Sequence, residues 1–316
     1  MTGRQIRIVS GSPRKHSGRL IANYCIIDAS PGYFSLTLEN DIKMEATSTR
    51  RAGIERFTFP AGVKPYFVMD LSNDLPLSWG GGEMNIFPEN GTIQFGGRWK
   101  PRYTDHGLPR GISLTRSHSF GPGYFWYNAY SCYSLLDNGN QKLDEYGAFT
   151  SDNYGMDTKE MGLTHLNLSV NLIGSSPYQS GALVSLLPAS GSSGSLTAIT
   201  LRLGVSFVSA EQACANMEEE VGSYSFDEIH AQSKALWNDK LGRIELDLAN
   251  TDANVTEMIY SSVYRSFLTP NNATGETNGA FAGTTSPYFD SLVSGCDPRQ
   301  RNSLTFAVLC SIAAGS

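Results

Sequence analysis

At Ser209 the apolar spacing of this 316-residue chain changes from two to between three and four, and that switch limits what the chain can fold into. Before it, Ile199, Leu201, Leu203, Val205 and Phe207 recur at a period of two, which places them on one face of a strand. Tyr33 to Leu38 and Ile54 to Phe59 alternate in part, and Tyr66 to Leu71 is a short apolar run. Met84 to Phe87 and Thr92 to Phe95 flank Pro88-Glu89-Asn90-Gly91, where Asn-Gly supplies the positive φ angles of a hairpin turn. Tyr124 to Tyr133 is aromatic on both faces, as expected of a strand buried between two layers. Many short strands separated by Gly, Pro, Asn and Ser predict a two-sheet antiparallel β-sandwich.

After the switch the signals are helical. Ser209 with Gln212 and Ser225 with Glu228 have capping-box spacing, in which each pair satisfies free amides of a first helical turn. The spacing predicts helices near 209–221, 226–241 and 253–268. Ile229, Leu236 and Ile244 fall on or near one face of the second, with Trp237 and Leu241 alongside. The third carries Val255, Ile259, Val263 and Phe267 inward and stops before Pro270. A block of strands followed by a block of helices is a mainly β chain, α+β overall. Two stretches follow neither period. Lys100 to His118 reads as an exposed loop, and Ala189 to Ser195 as a flexible Gly- and Ser-rich connection.

A net charge of −6 argues against nucleic acid, which needs concentrated positive charge. No apolar run approaches the ~20 residues that span a bilayer, so no membrane partner is expected. Met1 to Asp28 lacks an apolar stretch leading to a small-residue cleavage site, so no signal peptide is visible. Cys25, Cys132, Cys214, Cys296 and Cys310 are widely spaced, and buried free thiols are the expectation for most. The histidines at 16, 106, 118, 165 and 230 are scattered and form no metal-ligand spacing. Phosphate-loop, zincin and nucleophile-elbow motifs are absent, and the glycines at 80–82 read as a loop between strands. Two carboxylate pairs read as structural: Glu218-Glu219-Glu220 as the solvated face of a helix, and Asp144-Glu145 as a turn. Asn90, Asn167, Asn254 and Asn272 carry the N-glycan acceptor pattern, though Asn90 also serves the tight turn.

Three long blocks stand out: Met44-Glu45-Ala46-Thr47-Ser48-Thr49-Arg50-Arg51-Ala52-Gly53, Lys64-Pro65-Tyr66-Phe67-Val68-Met69-Asp70-Leu71, and the junction running through Asn254 to Thr284-Thr285-Ser286-Pro287-Tyr288-Phe289-Asp290. Their wording resembles family 92 glycoside hydrolases, the calcium-dependent exo-α-mannosidases, most closely their fungal members. The resemblance implies an amino-terminal β-sandwich followed by helices that lead into an (α/α)6 catalytic barrel. It implies inverting, calcium-assisted removal of terminal α-1,2-linked mannose from N-glycans, in a secretory setting. In the family the catalytic carboxylates and calcium ligands lie in the barrel. The family's sugar-binding Trp-Asp-Thr element has its counterpart here in Cys296-Asp297-Pro298, which makes Asp297 the one candidate substrate-binding residue.

The chain therefore divides into an unassigned leader (1–30), a sandwich (31–208), a helical linker with junction loop (209–290) and a divergent tail (291–316), with the barrel absent. No catalytic residue and no metal ligand is expected in this chain, and Ca2+, the cofactor of the intact family, is not expected to bind it. The expected function is that of an amino-terminal fragment of a mannosidase, inactive alone, with mannose-containing glycans as partners. The alternative is a non-catalytic carbohydrate-binding module, for which Trp79 and Trp99 are candidate sugar-stacking rings. The tail from Cys296 to Ser316, with its apolar run Phe306 to Cys310, is expected to pack without native partners.

Overall fold

The computed structural model describes residues 6–10, 24–38, 40–70, 79–99, 127–135, 143–153, 156–169, 179–186, 197–268, 271–272, 274–276 and 289–290. Its strands are β1 (Ile6–Ser10), β2 (Tyr24–Ser30), β3 (Tyr33–Leu38), β4 (Lys43–Ser48), β5 (Ala52–Phe59), β6 (Pro65–Asp70), β7 (Trp79–Phe87) and β8 (Thr92–Trp99). They continue as β9 (Tyr127–Leu135), β10 (Leu143–Asn153), β11 (Met156–Met161), β12 (His165–Ser169), β13 (Gln179–Leu186) and β14 (Thr197–Ser206). Helices α1 (Ala210–Glu220), α2 (Phe226–Leu241) and α3 (Ala253–Phe267) follow, then the two-residue strands β15 (Asn271–Asn272) and β16 (Phe289–Asp290). The expected order of strands before helices holds, and β1 and β2 add strands inside the stretch the sequence left unassigned.

Two antiparallel sheets make the sandwich. One has five strands in the order β1-β6-β13-β10-β11, and the other nine in the order β12-β7-β8-β9-β14-β5-β4-β3-β2. Period-two alternation decides which side chains enter the space between them. Ile93 and Phe95 of β8, Met84 and Ile86 of β7, and Ile199 and Leu201 of β14 are all buried there. Phe67 of β6 meets Phe57 and Phe59 of β5 edge-on, with ring centroids 5.1 and 5.8 Å apart. Such edge contacts suit the aromatic quadrupole and add to the burial of three large rings. The far end of β14 leaves this core: Val205, expected inside, is 43% exposed.

The outer face of the nine-stranded sheet carries a second layer. Ala213 and Met217 of α1 pack on Cys132 of β9, and Phe226 and Ile229 of α2 pack on Ala52 and Ile54 of β5. At Gly204 a Cβ would collide with the carbonyl oxygen of Ala213, so glycine there lets α1 lie flat on the sheet. Cys132 and Cys214 are joined as a disulfide with Cα atoms 5.0 Å apart. This corrects the expectation of free thiols for these two. Strand and helix bring them together across a separation of 82 residues, which no local spacing could reveal. The side chain of Cys25 and the residues Cys296 and Cys310 lie outside the described set.

The caps differ in detail from the expectation. Ser225 and Glu228 form the full reciprocal box, with the Ser225 amide donating to the Glu228 carboxylate at 2.8 Å and the Glu228 amide donating to Ser225 Oγ at 3.3 Å. At α1 only half of it forms. Ser209 Oγ accepts from the Gln212 amide at 3.1 Å, while the Gln212 side chain turns to the buried Asn216. Asp252 caps α3 by accepting from the Asn254 amide at 2.9 Å.

The described residues divide into two compact units, one ending at Ser233 and the other beginning at Lys234. In the second, Trp237 meets Tyr264 at 4.8 Å between ring centroids, and Tyr260 donates to the Ile244 carbonyl at 2.8 Å. The inward stripe expected on α3 is not buried among the described residues. Val255 is exposed, and Ile259, Val263 and Phe267 are only partly covered. Leu236 and Ile244 of the preceding segment are exposed as well. One neighbouring helix covers only part of a stripe ~100° wide.

Seating of α1 generates two expected outcomes. Gly204→Ala is expected to lower stability by about 1–3 kcal/mol, because the added methyl must lift the helix. A chemical denaturation curve in which Gly204→Ala matches the parent would refute the close approach. Replacing Cys132 and Cys214 together by serine should cost about 2–4 kcal/mol, and the parent chain should show the same loss on reduction.

Candidate functional site

The carboxylates that acid–base chemistry would need are mostly committed elsewhere. Glu220 accepts from Thr49 Oγ1 at 2.6 Å and from both the amide and Nε of Arg51 at 2.7 Å. Burial acts to raise its pKa, but these hydrogen bonds and the Arg51 charge outweigh it and hold the carboxyl below its usual range. Glu219 pairs with Arg51 at 3.2 Å and Glu218 with Arg202 at 2.9 Å. The run 218–220 is therefore an anchor to the sheet, with only Glu218 and Glu219 exposed, rather than a wholly solvated face. Asp144 and Glu145 lie on β10 and not in a turn, where both pair with Lys64 and Glu145 accepts from Tyr66 Oη at 2.9 Å.

Two glutamates on neighbouring strands have opposite electrostatics. Glu45 of β4 faces outward, where Arg56 Nε donates to it at 2.9 Å, Lys43 at 3.1 Å and Tyr33 Oη at 3.0 Å. Burial opposes its ionisation, yet those donors prevail and lower its pKa from 4.5 to about 2. Glu55 of β5 sits opposite Ala46 and Leu201, on the inner face. Its Oε2 is buried with no hydrogen-bond partner among the described residues, and burial raises its pKa from 4.5 to about 7. Glu55 is thus poised near neutrality but faces the sandwich interior, away from any substrate.

The outer face beside α1 offers the concave surface. An open trough of about 290 Å³ is lined by Gly81, Gly82, Glu83, Gly96, Gly97, Asn128 and Tyr130. Its floor is bare where Gly96 stands between Glu83 and Tyr130 on the outer face, and beside it a Cβ on Gly82 or Gly97 would collide with a carbonyl of the paired strand. Gly81 adopts φ 114°, where the pairing of β7 with β8 shifts register. Tyr130 lies opposite Gly96 in register, and its ring occupies the place a Gly96 side chain would take. Partial burial, with the negative charges of Glu83 and Glu211, pushes the Tyr130 phenol pKa up. The glycines at 80–82 thus lie on β7, with Gly81 and Gly82 lining the trough, where the sequence suggested a loop.

The residues singled out from sequence are dispersed. Asn90 sits at the exposed β7–β8 turn, its Oδ1 accepting from the Thr92 amide at 3.0 Å. Asn254 is exposed in the first turn of α3. Asn167 lies on β12 opposite Glu83, and Asn272 lies on β15. Trp79 and Trp99 pair in register at the ends of β7 and β8. Asp297, the rest of the tail, and the stretches 100–118 and 189–195 lie outside the described residues. Among the described residues the structure pairs Trp79 with Trp99 but gathers no other sequence candidates, and the trough was not foreseen. Its signal was the recurrence of paired glycines, Gly81-Gly82 and Gly96-Gly97, in strands that would pair as a hairpin.

Residues 26–206 match the glycosyl hydrolase family 92 N-terminal domain, and residues 212–306 match the family 92 catalytic domain. The second match begins within α1, expected to be part of a linker, and runs into the tail expected to be divergent. The chain is 25% identical over 273 residues to a protein described as an uncharacterized secreted glycosidase of Arthroderma benhamiae, covering 84% of this chain and 31% of that one. It is similar in fold to a family 92 inverting mannosidase of Bacteroides thetaiotaomicron, with TM-score 0.61, 22% identity, and coverage of 84% of this chain and 30% of that one. An α-mannosidase of the same organism, solved with mannoimidazole, gives TM-score 0.57 at 21% identity, with 84% and 31% covered. The chain spans about a third of the length of each.

Glu45 and Glu55 together set an expected pH profile of stability. Glu45 stabilises the fold above its unfolded pKa near 4.5, and this is lost as pH falls toward about 2. Glu55 acts in the opposite sense, its contribution being intact below about 4.5 and lost as pH rises through about 7. Melting temperature should therefore peak on the mildly acidic side. Glu55→Gln should raise it at pH 8 with little change at pH 4, and Glu45→Gln should lower it at pH 7 by an amount that shrinks toward pH 2. Parallel profiles for parent and Glu55→Gln would show that this carboxyl is not isolated in the core.

Proposed function

The chain belongs to glycosyl hydrolase family 92, and on that premise we propose that it forms the amino-terminal part of a secreted exo-α-mannosidase. The reaction of the whole enzyme is inverting hydrolysis of terminal α-1,2-linked mannose from N-glycans, assisted by calcium. The observation that carries this reading is the order of the two matches along one chain, sandwich first and helices second. The disulfide fits a secretory setting, where such bonds form and persist.

Inversion needs one carboxylic acid and one carboxylate ~6.5–9.5 Å apart across a bound sugar. The described carboxylates of the sandwich argue against its supplying both, since Glu45 and Glu220 are paired with arginine and Glu55 faces the core. Calcium takes six to eight oxygen ligands. Among the described residues no three acidic, histidine or cysteine groups converge to hold an ion, so these residues do not fit the metal and no step is assigned to it here. Asp297 keeps its proposed role as the sugar-binding aspartate.

The purified chain is expected to release no mannose from α-1,2-mannobiose, with or without calcium, and calcium should leave its melting temperature unchanged. Calcium-dependent release of mannose, abolished by chelation, would overturn this division of labour. Transcript sequence across codons 285–300 tests the other half. An open frame continuing into a long helical domain supports the reading. A stop after codon 316 in every transcript would favour a sugar-binding module, the second reading, for which the glycine-floored trough is the specific observation.

A further inference from the structure

We propose that the trough over β7, β8 and β9 is a non-catalytic binding site for one hexopyranose ring of a glycan chain. For its choice of hexose the proposal rests on the mannosidase reading above. That the trough takes a sugar at all is argued from its own chemistry.

A pyranose presents a flat C–H face and a rim of hydroxyls, and it is bound by a flat apolar platform with polar groups at the edge. The trough has both parts. The Tyr130 ring lies along the sheet surface over Gly96, next to bare backbone at Gly82 and Gly97. Because the ring is only partly covered, it has a surface left to meet sugar C–H groups. Glu83 lies opposite Gly96, which in turn lies opposite Tyr130, so the three form one row across the outer face. Asn128, two residues before Tyr130, projects to the same face.

The exposed Glu83 carboxylate and Asn128 amide make no hydrogen bond or ion pair with another described residue. A carboxylate accepts from two adjacent hydroxyls, and an amide both donates and accepts, so the pair can serve a diol edge in either sense. The volume of about 290 Å³ is at the lower bound for small-molecule sites, sufficient for one ring and too open for tight binding. A divalent cation is a poorer match, since Glu83 is the only carboxylate among the described residues lining the trough.

The test is a titration of the full 316-residue chain with methyl α-D-mannopyranoside, and in parallel with methyl β-D-galactopyranoside, followed by backbone amide NMR. The mannoside should shift the amides of Gly82, Glu83, Gly96, Gly97 and Tyr130 with a dissociation constant in the millimolar range. Glu83→Ala and Asn128→Ala, both at exposed positions, should each weaken the response several-fold, and the double variant should abolish it, with melting temperature unchanged. A response to the galactoside alone at the same amides would keep the sugar site and count against the mannosidase reading. No response to either sugar, a response confined to other amides, or unchanged affinity in the double variant would overturn the proposal.

Discussion

The close approach of α1 to the nine-stranded sheet is the constraint on which the rest of the outer layer depends. A sheet packed on one face leaves the other to water unless something covers it, and here β5 and β9 carry Ile54 and Cys132 outward, both fully buried. The helix can lie close enough only because residue 204 lacks a side chain. Once it is seated, Arg51 reaches Glu220 and Arg202 reaches Glu218, while Cys132 reaches Cys214. The first half of α2 then finds its place over β5, where the Arg56 guanidinium lies 4.3 Å from the Phe226 ring centroid and also pairs with Glu45 and Asp227.

This arrangement explains how the acidic residues are used. Those facing the sheet hold helices in place through arginine, whose planar fork satisfies two acceptors at once. A carboxylate so engaged is stable as an anion and poor at exchanging a proton. Glu55 shows the opposite extreme, a group whose proton is held by burial and not by chemistry. Neither environment resembles that of a glycosidase acid, which must be both partly desolvated and open to the glycosidic oxygen.

Much of the fold was legible because period is a local property. Strands β3, β5, β6, β8 and β14 and all three helices could be placed to within a few residues from apolar spacing and caps alone. What could not be read was whatever depends on partners distant in sequence. The Cys132–Cys214 bond joins residues whose neighbours give no hint of pairing, and Glu220 resembled its exposed neighbour Glu219 until Arg51 was placed beside it. The apolar stripe of α3 is visible in the sequence, yet a pattern states what a helix can bury, not what is there to bury it. Of the candidate site, the glycine pairs were visible, but a bare patch of sheet becomes a trough only when the facing strands are in register and a tyrosine closes one side.

Where the family match passes from sandwich to catalytic domain, between residues 206 and 212, the molecule has no corresponding seam. The disulfide, the Gly204 contact and the Arg51 clamp all join residues from opposite sides of that boundary. A protease that cut between Val208 and Ser209 would leave two pieces still covalently joined, separable only under reducing conditions. A recombinant sandwich ended at Ser206 would expose Cys132 and Ile54 to solvent, whereas one extended past Ser233 would keep its second layer. The smallest portable piece of this protein is therefore longer than the domain its sequence defines, and any gene fusion that borrows the sandwich must carry α1 and the start of α2 with it.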